Sequence, residues 1–450
     1  MAAVQQFPSP APEPVTARLA GWALLLGLLV MQFVNLRVGV HGRPAVWSLF
    51  LIGFTAVSVV TLPWLVRRGQ RTRAGNLVLG AAVLLFGWAL WSAWHTPLPR
   101  LFKPRAEVTR IYLVVPVVTS FVTLFAAWGL AAMIGPARRR LVLWQAAMLI
   151  PLSSVLAGAR TIVSTHSVRL GTGMGGAAIF HVALLLAGAV LLASALRGER
   201  RGWSALGAAL CLVEIMLTAS RSGLLSLLVF GGLLSLFLLL RGRGLQVLAM
   251  VAAVVACAAL AMVALPATRR LLQVHDTFRM ANYETAWRTW SATGHNIWLG
   301  VGSGRMWPWY PFETGAIPVP WRGAIQTGFG RSLTNPHSLY LGVLAELGLV
   351  GLALLLVVVA TVVWQAVRGG RRLLGLGKKA DRQDFMAALS ELVVPLALVA
   401  TLVAFAFDHY LLKNFAISFW WWLVLACTWG LHPGRRAAER AARETTEVAG

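Results

Sequence analysis

The sequence predicts an all-α integral membrane protein with about twelve transmembrane helices and one large outer loop that contains short helices. Three observations predict it. Of the 450 residues, 58% are hydrophobic and only 12% charged, where a soluble domain carries about 25% charged residues. Twelve apolar stretches approach the roughly 20 residues that a helical span needs. The basic residues are also distributed with a strong bias between alternate loops.

The stretches run over 17–36, 45–66, 74–94, 109–134, 141–158, 174–196, 203–219, 222–240, 245–265, 337–366, 391–411 and 415–431. The first has no small-residue cleavage site after it, so it reads as a retained span and not a removed signal peptide. The fourth contains Pro116, where a kink is expected. A short break, Ser220-Arg221-Ser222-Gly223, separates the seventh from the eighth. The resulting organisation is a disordered tail over 1–16, nine spans over 17–265, an outer loop over 266–336, three spans over 337–431, and a second tail over 432–450. Four prolines (Pro8, Pro10, Pro12, Pro14) mark the first tail as unstructured.

The formal charge of +25 suggests a polyanionic partner until its placement is examined. With a cytoplasmic N-terminus, the loops and tails on that side hold 23 Lys/Arg. The other side holds 10 outside the long loop. That asymmetry is the positive-inside pattern, so both termini are expected in the cytoplasm and the basic loops face anionic lipid, not nucleic acid. Cys211, Cys257 and Cys427 all fall inside apolar stretches and have neither disulfide nor metal-ligand spacing.

The 71-residue loop over 266–336 carries Arg269, Arg270, Arg279, Arg288, Arg305, Arg322 and Arg331 against three acids, Asp276, Glu284 and Glu313. Its tryptophans argue for order. Residues 276–293 read as an interfacial helix capped by Asp276, with Tyr283, Trp287 and Trp290 at helical spacing. These rings suit first an aromatic belt at headgroup level, and second a platform for sugar rings, two roles that are compatible. Gly300-Val301-Gly302-Ser303-Gly304 has no βαβ context for a nucleotide fingerprint and reads as a tight turn.

His337 is the first candidate for chemistry. Asn335 suits an N-cap and Pro336 the first helical position, which places His337 in the first turn of a long apolar helix. There the helix dipole disfavours imidazolium, leaving the neutral ring that a general base requires. The plain alternative is a histidine that only caps. Arg221 lies at a boundary between two apolar stretches, where a cation needs protein or an anionic partner. It reads either as a substrate contact or as half of a structural pair with Glu214, two helical turns earlier. Arg279 and Arg288 are nine residues apart, so an ideal helix puts them on nearly opposite sides and only one is expected to meet a given ligand. Arg160 and Arg169 flank a shorter outer loop with His166 and form a second basic cluster. Converging guanidiniums suit a pyrophosphate. His181, Glu346 and Asp408-His409 also fall in or near spans and pair internally or line a cavity. No acidic cluster, paired outer carboxylates, Walker loop or metal-spaced His/Glu set is present. A reaction without metal or cofactor, on a pre-activated donor, is therefore expected.

Three blocks carry a resemblance. Leu217-Thr218-Ala219-Ser220-Arg221-Ser222-Gly223 resembles the T-x-S-R-[SG]-G signature of the O-antigen ligase/polymerase superfamily. His295-Asn296-Ile297-Trp298-Leu299-Gly300-Val301-Gly302 resembles its h-P-l-x-G-v-G segment, with Asn296 in place of proline. Asn335-Pro336-His337-Ser338-Leu339-Tyr340-Leu341, continuing to Gly351, resembles its H-[NS]-x-y-L…E-x-G-l-x-G block. The blocks cover roughly 200–355 in the family's order.

The resemblance implies an inner-membrane glycosyltransferase of the GT-C type, with its active site at the periplasmic face. Its donor would be a polysaccharide on undecaprenyl diphosphate. For the ligase branch, its acceptor would be a sugar hydroxyl of lipid A–core. By the same resemblance His337 is the catalytic base, and Arg221, Arg279 and Arg288 bind the diphosphate; Arg160 and Arg169, from their own basic cluster and not from the resemblance, are further candidate substrate contacts. An O-antigen polymerase or a protein O-oligosaccharyltransferase of the same superfamily would share the donor chemistry. A transporter is a more distant alternative, and the sequence has no second copy of the Arg221 or His337 segment that paired broken helices would supply.

Overall fold

A computed structural model describes residues 14–34, 44–67, 70–165, 169–264, 277–320, 323–377 and 381–432. Both tails, His166, Arg269, Arg270, Asp276, Trp321 and Arg322 lie outside the described residues, apart from the few tail residues just inside those limits. The helices in order are α1 (Val15–Phe33), α2 (Pro44–Val66), α3 (Arg73–His95), α4 (Ile111–Thr165), α5 (His181–Leu196), α6 (Arg201–Leu217), α7 (Arg221–Leu240), α8 (Gly244–Ala264), α9 (Thr277–Ser291), α10 (Gly294–Leu299), α11 (Trp309–Glu313), α12 (Leu339–Gly375), α13 (Arg382–Ala404), α14 (Tyr410–Lys413) and α15 (Phe415–Leu425). Each of the twelve apolar stretches contains a helix or half of one, although not all are helical throughout. By length and composition, seven described helices are able to cross a membrane, and four more are apolar but shorter.

Four details differ from the sequence reading. The chain is not purely helical: β1 (Arg100–Lys103), β2 (Arg105–Glu107), β3 (Ala324–Thr327) and β4 (Gly330–Leu333) form one antiparallel sheet in the order β2-β1-β3-β4. Pro116 causes no break; α4 is interrupted instead at Gly135, with φ 74°, just before Pro136. The sixth stretch is helical only from His181, because Gly171, Gly173, Gly175 and Gly176 put its first part into turns. Thr218 and the left-handed Ala219 (φ 46°) end α6, so Glu214 and Arg221 do not share a helix. Glu214 is buried and accepts from the Ser154 hydroxyl at 2.5 Å, while Arg221 opens α7 with its side chain exposed.

The core centres on α15, whose residues are buried on every side, as expected of a helix apolar all round. Trp420, Trp421 and Trp422 are all buried there. Trp420 Nε1 donates to Ala183 O and Trp421 Nε1 to Thr401 Oγ1, so two of the indoles bury area without orphaning a donor.

Helix α3 defines two ends of the molecule. At its N-terminus, Thr72 N donates to Gly430 O at 3.0 Å, and nearby Arg139 reaches His432 O. At its C-terminus, Thr96 Oγ1 donates to Val301 O at 2.9 Å and the Ser92 hydroxyl accepts from Ser303 N. The sheet, the loop helices and the start of α12 thus gather at one end. The 70–72 and 138–140 segments meet the C-terminal end of the described chain at the other.

The loop end is built around an interruption in α12. Gly348 has φ 67° inside that helix, which frees carbonyls that a continuous helix would use. Val301 N takes Ala345 O at 3.0 Å, Gly302 N takes Glu346 O at 2.9 Å, and Trp88 Nε1 takes Leu347 O at 3.0 Å. The approach is close enough to exclude side chains. A Cβ on Gly348 would lie 2.3 Å from Trp298 O, and one on Gly300 2.3 Å from Glu346 C. The Gly300–Gly304 segment is therefore a tight turn, as its glycines predict, seated in a helix break that the sequence reading did not anticipate. Gly348→Ala is expected to cost about 3 kcal/mol or more through clash and backbone strain. Gly80→Ala, in a helix with open space around the new methyl, is expected to be neutral or slightly stabilising. Thermal unfolding of the purified protein in detergent compares the two.

Candidate functional site

The N-cap of α12 is Ser338, whose hydroxyl accepts from Leu341 N at 3.3 Å, and not Asn335. His337 therefore stands just before the helix and not in its first turn. Its backbone is left-handed, with φ 51°, a conformation uncommon for any residue but glycine. Three contacts impose it. Asn335 Oδ1 accepts from His337 N at 3.1 Å, Asn282 Nδ2 donates to Pro336 O at 2.9 Å, and the Tyr283 hydroxyl donates to His337 O at 3.0 Å. Asn282 is fully buried, and its Oδ1 also accepts from Trp307 Nε1, the Ser332 hydroxyl and Leu333 N. One asparagine thus ties α9, the β4 strand, the loop and the His337 turn together. The sequence reading missed it, because a lone Asn in a helix carries no signal of burial. Tyr283 was noticed only as an aromatic, whereas its hydroxyl is what reaches His337.

Helix α9 settles the relation of its two arginines. Asn282, Ala286 and Thr289 are its buried residues. Arg279 is half-buried one turn before Asn282 and Tyr283, while Arg288 is exposed and paired with Glu284. Arg279 therefore shares the face that holds His337, and Arg288 does not. Of the loop tryptophans, Trp287 and Trp298 are exposed, whereas Trp307 is buried among the loop residues and Trp309 in the main core against Phe415. Asn296, which stands where the family pattern has proline, donates its N–H to the Thr293 hydroxyl and its side-chain amide to Thr289 O. Thr293 thereby caps α10, and the Asn296 amide joins that helix to the end of α9; a proline there, lacking both the N–H and the amide, would supply neither bond.

Arg221 and Arg169 are brought to one turn. Arg169 Nε donates to Thr218 O at 2.9 Å, and Leu170 N to Leu217 O. The Ser220 hydroxyl caps α7 by accepting from Gly223 N and donates to Ala178 O. Arg160 is exposed near the end of α4, which meets Leu170 at Gly158. His181 packs on the first turn of α7, its Cγ 2.9 Å from where a Cβ on Gly223 would sit.

Between the Arg221 turn and the His337 turn lie Asp408 and His409, in the segment after α13 that precedes α14. Asp408 is near enough to influence both His181 and His409, and His409 near enough to feel a charge on His337. His409 lies outside the helical spans and is almost fully buried. Burial pushes its imidazole down to about 3, with Lys413 and His337 pushing the same way and Asp408 opposing, so the ring is neutral at physiological pH. Lys413 itself pairs with Glu313 at 2.9 Å, joining α14 to α11. Arg305 is lowered by burial. It lies over the Phe329 ring at 5.1 Å and donates to Val301 O, so it braces the glycine turn.

Glu346, left unassigned from sequence, is the anchor of that turn. Its Oε1 accepts from Met306 N and Trp307 N, and its Oε2 from Gly304 N. Among the described residues no three His, Cys, Asp or Glu side chains are placed to hold one metal ion. Asn282→Ala strands three donors and is expected to destabilise the protein by about 3 kcal/mol or more, against about 1 kcal/mol for Tyr283→Phe. Thermal unfolding, with hydrogen exchange at the 330–340 backbone, reads both.

No curated protein matches the chain. Residues 206–356, which contain both left-handed turns of the site and the interlocked glycines, match the family model described as O-antigen ligase, and this supports assigning the chain to the O-antigen ligase/polymerase superfamily.

Proposed function

We propose that the protein is an O-antigen ligase of the bacterial inner membrane. It would move a polysaccharide from undecaprenyl diphosphate to a sugar hydroxyl of lipid A–core at the periplasmic face, with twelve spans and both termini cytoplasmic. The observation that carries this reading is the shared anchoring of α9. The helix that holds the His337 backbone through Asn282 and Tyr283 presents Arg279 on that same side. A base and a guanidinium are thereby held by one rigid element. Arg221, with Arg169 at its turn, is linked to the same region through His181, Asp408 and His409.

In the proposed reaction, the His337 imidazole takes the proton of the acceptor hydroxyl as its oxygen attacks the anomeric carbon of the donor. The carbon–oxygen bond to the diphosphate breaks, and the leaving group departs with the electron pair. Arg221 and Arg279 stabilise the charge that develops on it, and displacement from the opposite face inverts the anomeric centre. No metal or cofactor enters this scheme. Arg288, turned outward and paired with Glu284, and Arg160, at the exposed end of α4, are assigned to more peripheral contact with the glycan or with lipid headgroups.

His337→Ala is expected to lower transfer by about 10²–10⁴. Arg221→Ala and Arg279→Ala are expected to lower it by about 10²–10³ each, and Arg288→Ala by less than about tenfold. Complementation of a ligase-null strain, read on lipopolysaccharide ladders, checks the order. Normal capping with His337→Ala rules the mechanism out. Failure to restore capping, together with rescue of a polymerase-null strain that makes single-repeat caps, moves the protein to the polymerase branch.

A further inference from the structure

The four-stranded sheet has two unlike faces. Leu101 and Ile325 point inward and pack with Val108, Phe312 and Ile317. The ladder fixes what points outward. Arg100 stands opposite Glu107 and Phe102 opposite Arg105, and residues two apart on a strand share a face. Gln326 and Arg331 are paired on the side away from Ile325. Between Leu101 and Lys103 the register shifts, so two steps along β1 match one along β3 and Lys103 comes to stand opposite Gln326. Such a bulge re-aims a side chain that alternation would send inward.

The outer face therefore carries Arg100, Lys103, Arg105 and Arg331 against one acid, Glu107, and all five are exposed. Arg331 lies over the Phe278 ring at 5.7 Å. Among the described residues, the side chains of Arg100, Lys103 and Arg105 have neither an ion pair nor a hydrogen bond, and Glu107 bridges none of them. Phe102, 61% exposed, stands among these cations. Their mutual repulsion works against the folded sheet, and at an outer end they run against the positive-inside bias.

This face is tied to the His337 turn. Asn282 Oδ1 accepts from the Ser332 hydroxyl and Leu333 N in β4, while its Nδ2 donates to Pro336 O. The Thr285 hydroxyl of the same helix donates to Arg331 O at 3.0 Å. Neighbouring strands lie about 4.8 Å apart, so cations placed on β2, β1 and β4 spread over about 14 Å. The charges of a diphosphate sit on adjoining phosphorus atoms and do not reach so far. Separate phosphate esters on a sugar backbone do, and each suits a guanidinium or ammonium donor. The Phe102 ring between the cations offers a face to the sugar.

We propose that the outer face of the sheet binds separate phosphate groups on the glycolipid acceptor and so holds that acceptor with its hydroxyl at His337. The proposal rests on the glycosyl-transfer reading and adds an anion site apart from the one assigned to the donor diphosphate. The link to His337 assigns the face to the acceptor, since bilayer headgroups would be met equally well by cations on any outer loop. These residues bind and orient; none of them makes or breaks a bond.

The test uses the full-length protein in lipid nanodiscs. The acceptors are lipid A–core with its phosphate esters intact and the same material dephosphorylated with hydrofluoric acid. Arg100→Gln/Lys103→Gln/Arg105→Gln removes the hairpin charge. Arg140→Gln/Arg201→Gln/Arg368→Gln removes as much from exposed positions away from the loop end. Tm, kcat, both KM values and acceptor binding by microscale thermophoresis are read. The hairpin variant is expected to keep its Tm and donor KM and to raise KM for the phosphorylated acceptor about tenfold. The dephosphorylated acceptor is expected to show the same rise with the wild-type protein and no further rise with the variant. The effect is expected to persist in nanodiscs of phosphatidylcholine alone and to shrink with added salt, and the second variant is expected to match wild type.

An unmoved acceptor KM overturns the proposal. So does a rise that disappears in phosphatidylcholine nanodiscs, which assigns the face to bilayer headgroups, and a rise in donor KM, which assigns it to the donor. Should the triple variant lose Tm, Arg105→Gln alone is expected to raise KM about threefold for the phosphorylated acceptor only, and a wild-type value there overturns the proposal. A wild-type protein that binds the phosphorylated acceptor in a hairpin-dependent way yet transfers no glycan keeps the surface and overturns the transfer reading instead.

Discussion

The architecture of the loop end depends on one break in one helix. A continuous α12 would keep the Ala345, Glu346 and Leu347 carbonyls to itself. Because Gly348 turns the backbone out of the helical region, those acceptors become available, and in an apolar setting they must be satisfied. Val301, Gly302 and Trp88 satisfy them. The glycine turn can come close enough only because Gly300 and Gly348 lack side chains. The Glu346 carboxylate then collects three further N–H groups, so the turn is held from its backbone and from below. Loop, α3 and α12 become one rigid unit at the end of the molecule where the candidate residues stand.

On that platform two non-glycine residues adopt left-handed backbone at the places where chemistry is proposed. Ala219 directs the chain into α7 two residues before Arg221, and His337 directs it into α12. Such conformations cost about 1–3 kcal/mol each and persist only where surrounding contacts impose them. At His337 the contacts are Asn335, Asn282 and Tyr283; at Ala219 they are the Arg169–Thr218 and Ser220–Ala178 hydrogen bonds. A side chain carried on an over-determined turn has little freedom to drift, which suits a group that must meet a sugar hydroxyl within hydrogen-bonding reach.

The helices were legible because apolar runs of about the length of a span leave little else to form. The order of the three motif blocks was equally legible and led to the superfamily that the match over 206–356 supports. What stayed hidden depended on contacts distant in sequence. The strands of the sheet are three or four residues long and come from segments more than two hundred residues apart, too short to show alternation. Asn282 is unremarkable in a helix until four partners converge on it. Glu346 read only as one more polar group in a span, since nothing local to it shows that its carboxylate faces the backbone N–H groups of a turn 40 residues earlier. The Arg221–Glu214 pairing failed for a similar reason, since a helical-wheel argument assumes that the helix continues through Ala219.

The β1–β2 hairpin also bears on the order of assembly. Leu101 pairs with Thr327, and Lys103 with Gln326, so one edge of β1 waits for chain made about 220 residues later. At a synthesis rate of about 5–20 residues per second, that edge stays open for roughly 10–45 s. An open edge is a template for unwanted pairing. Arg100, Lys103 and Arg105, all exposed on this hairpin, are the kind of charged residues that keep such an edge soluble until its partner emerges.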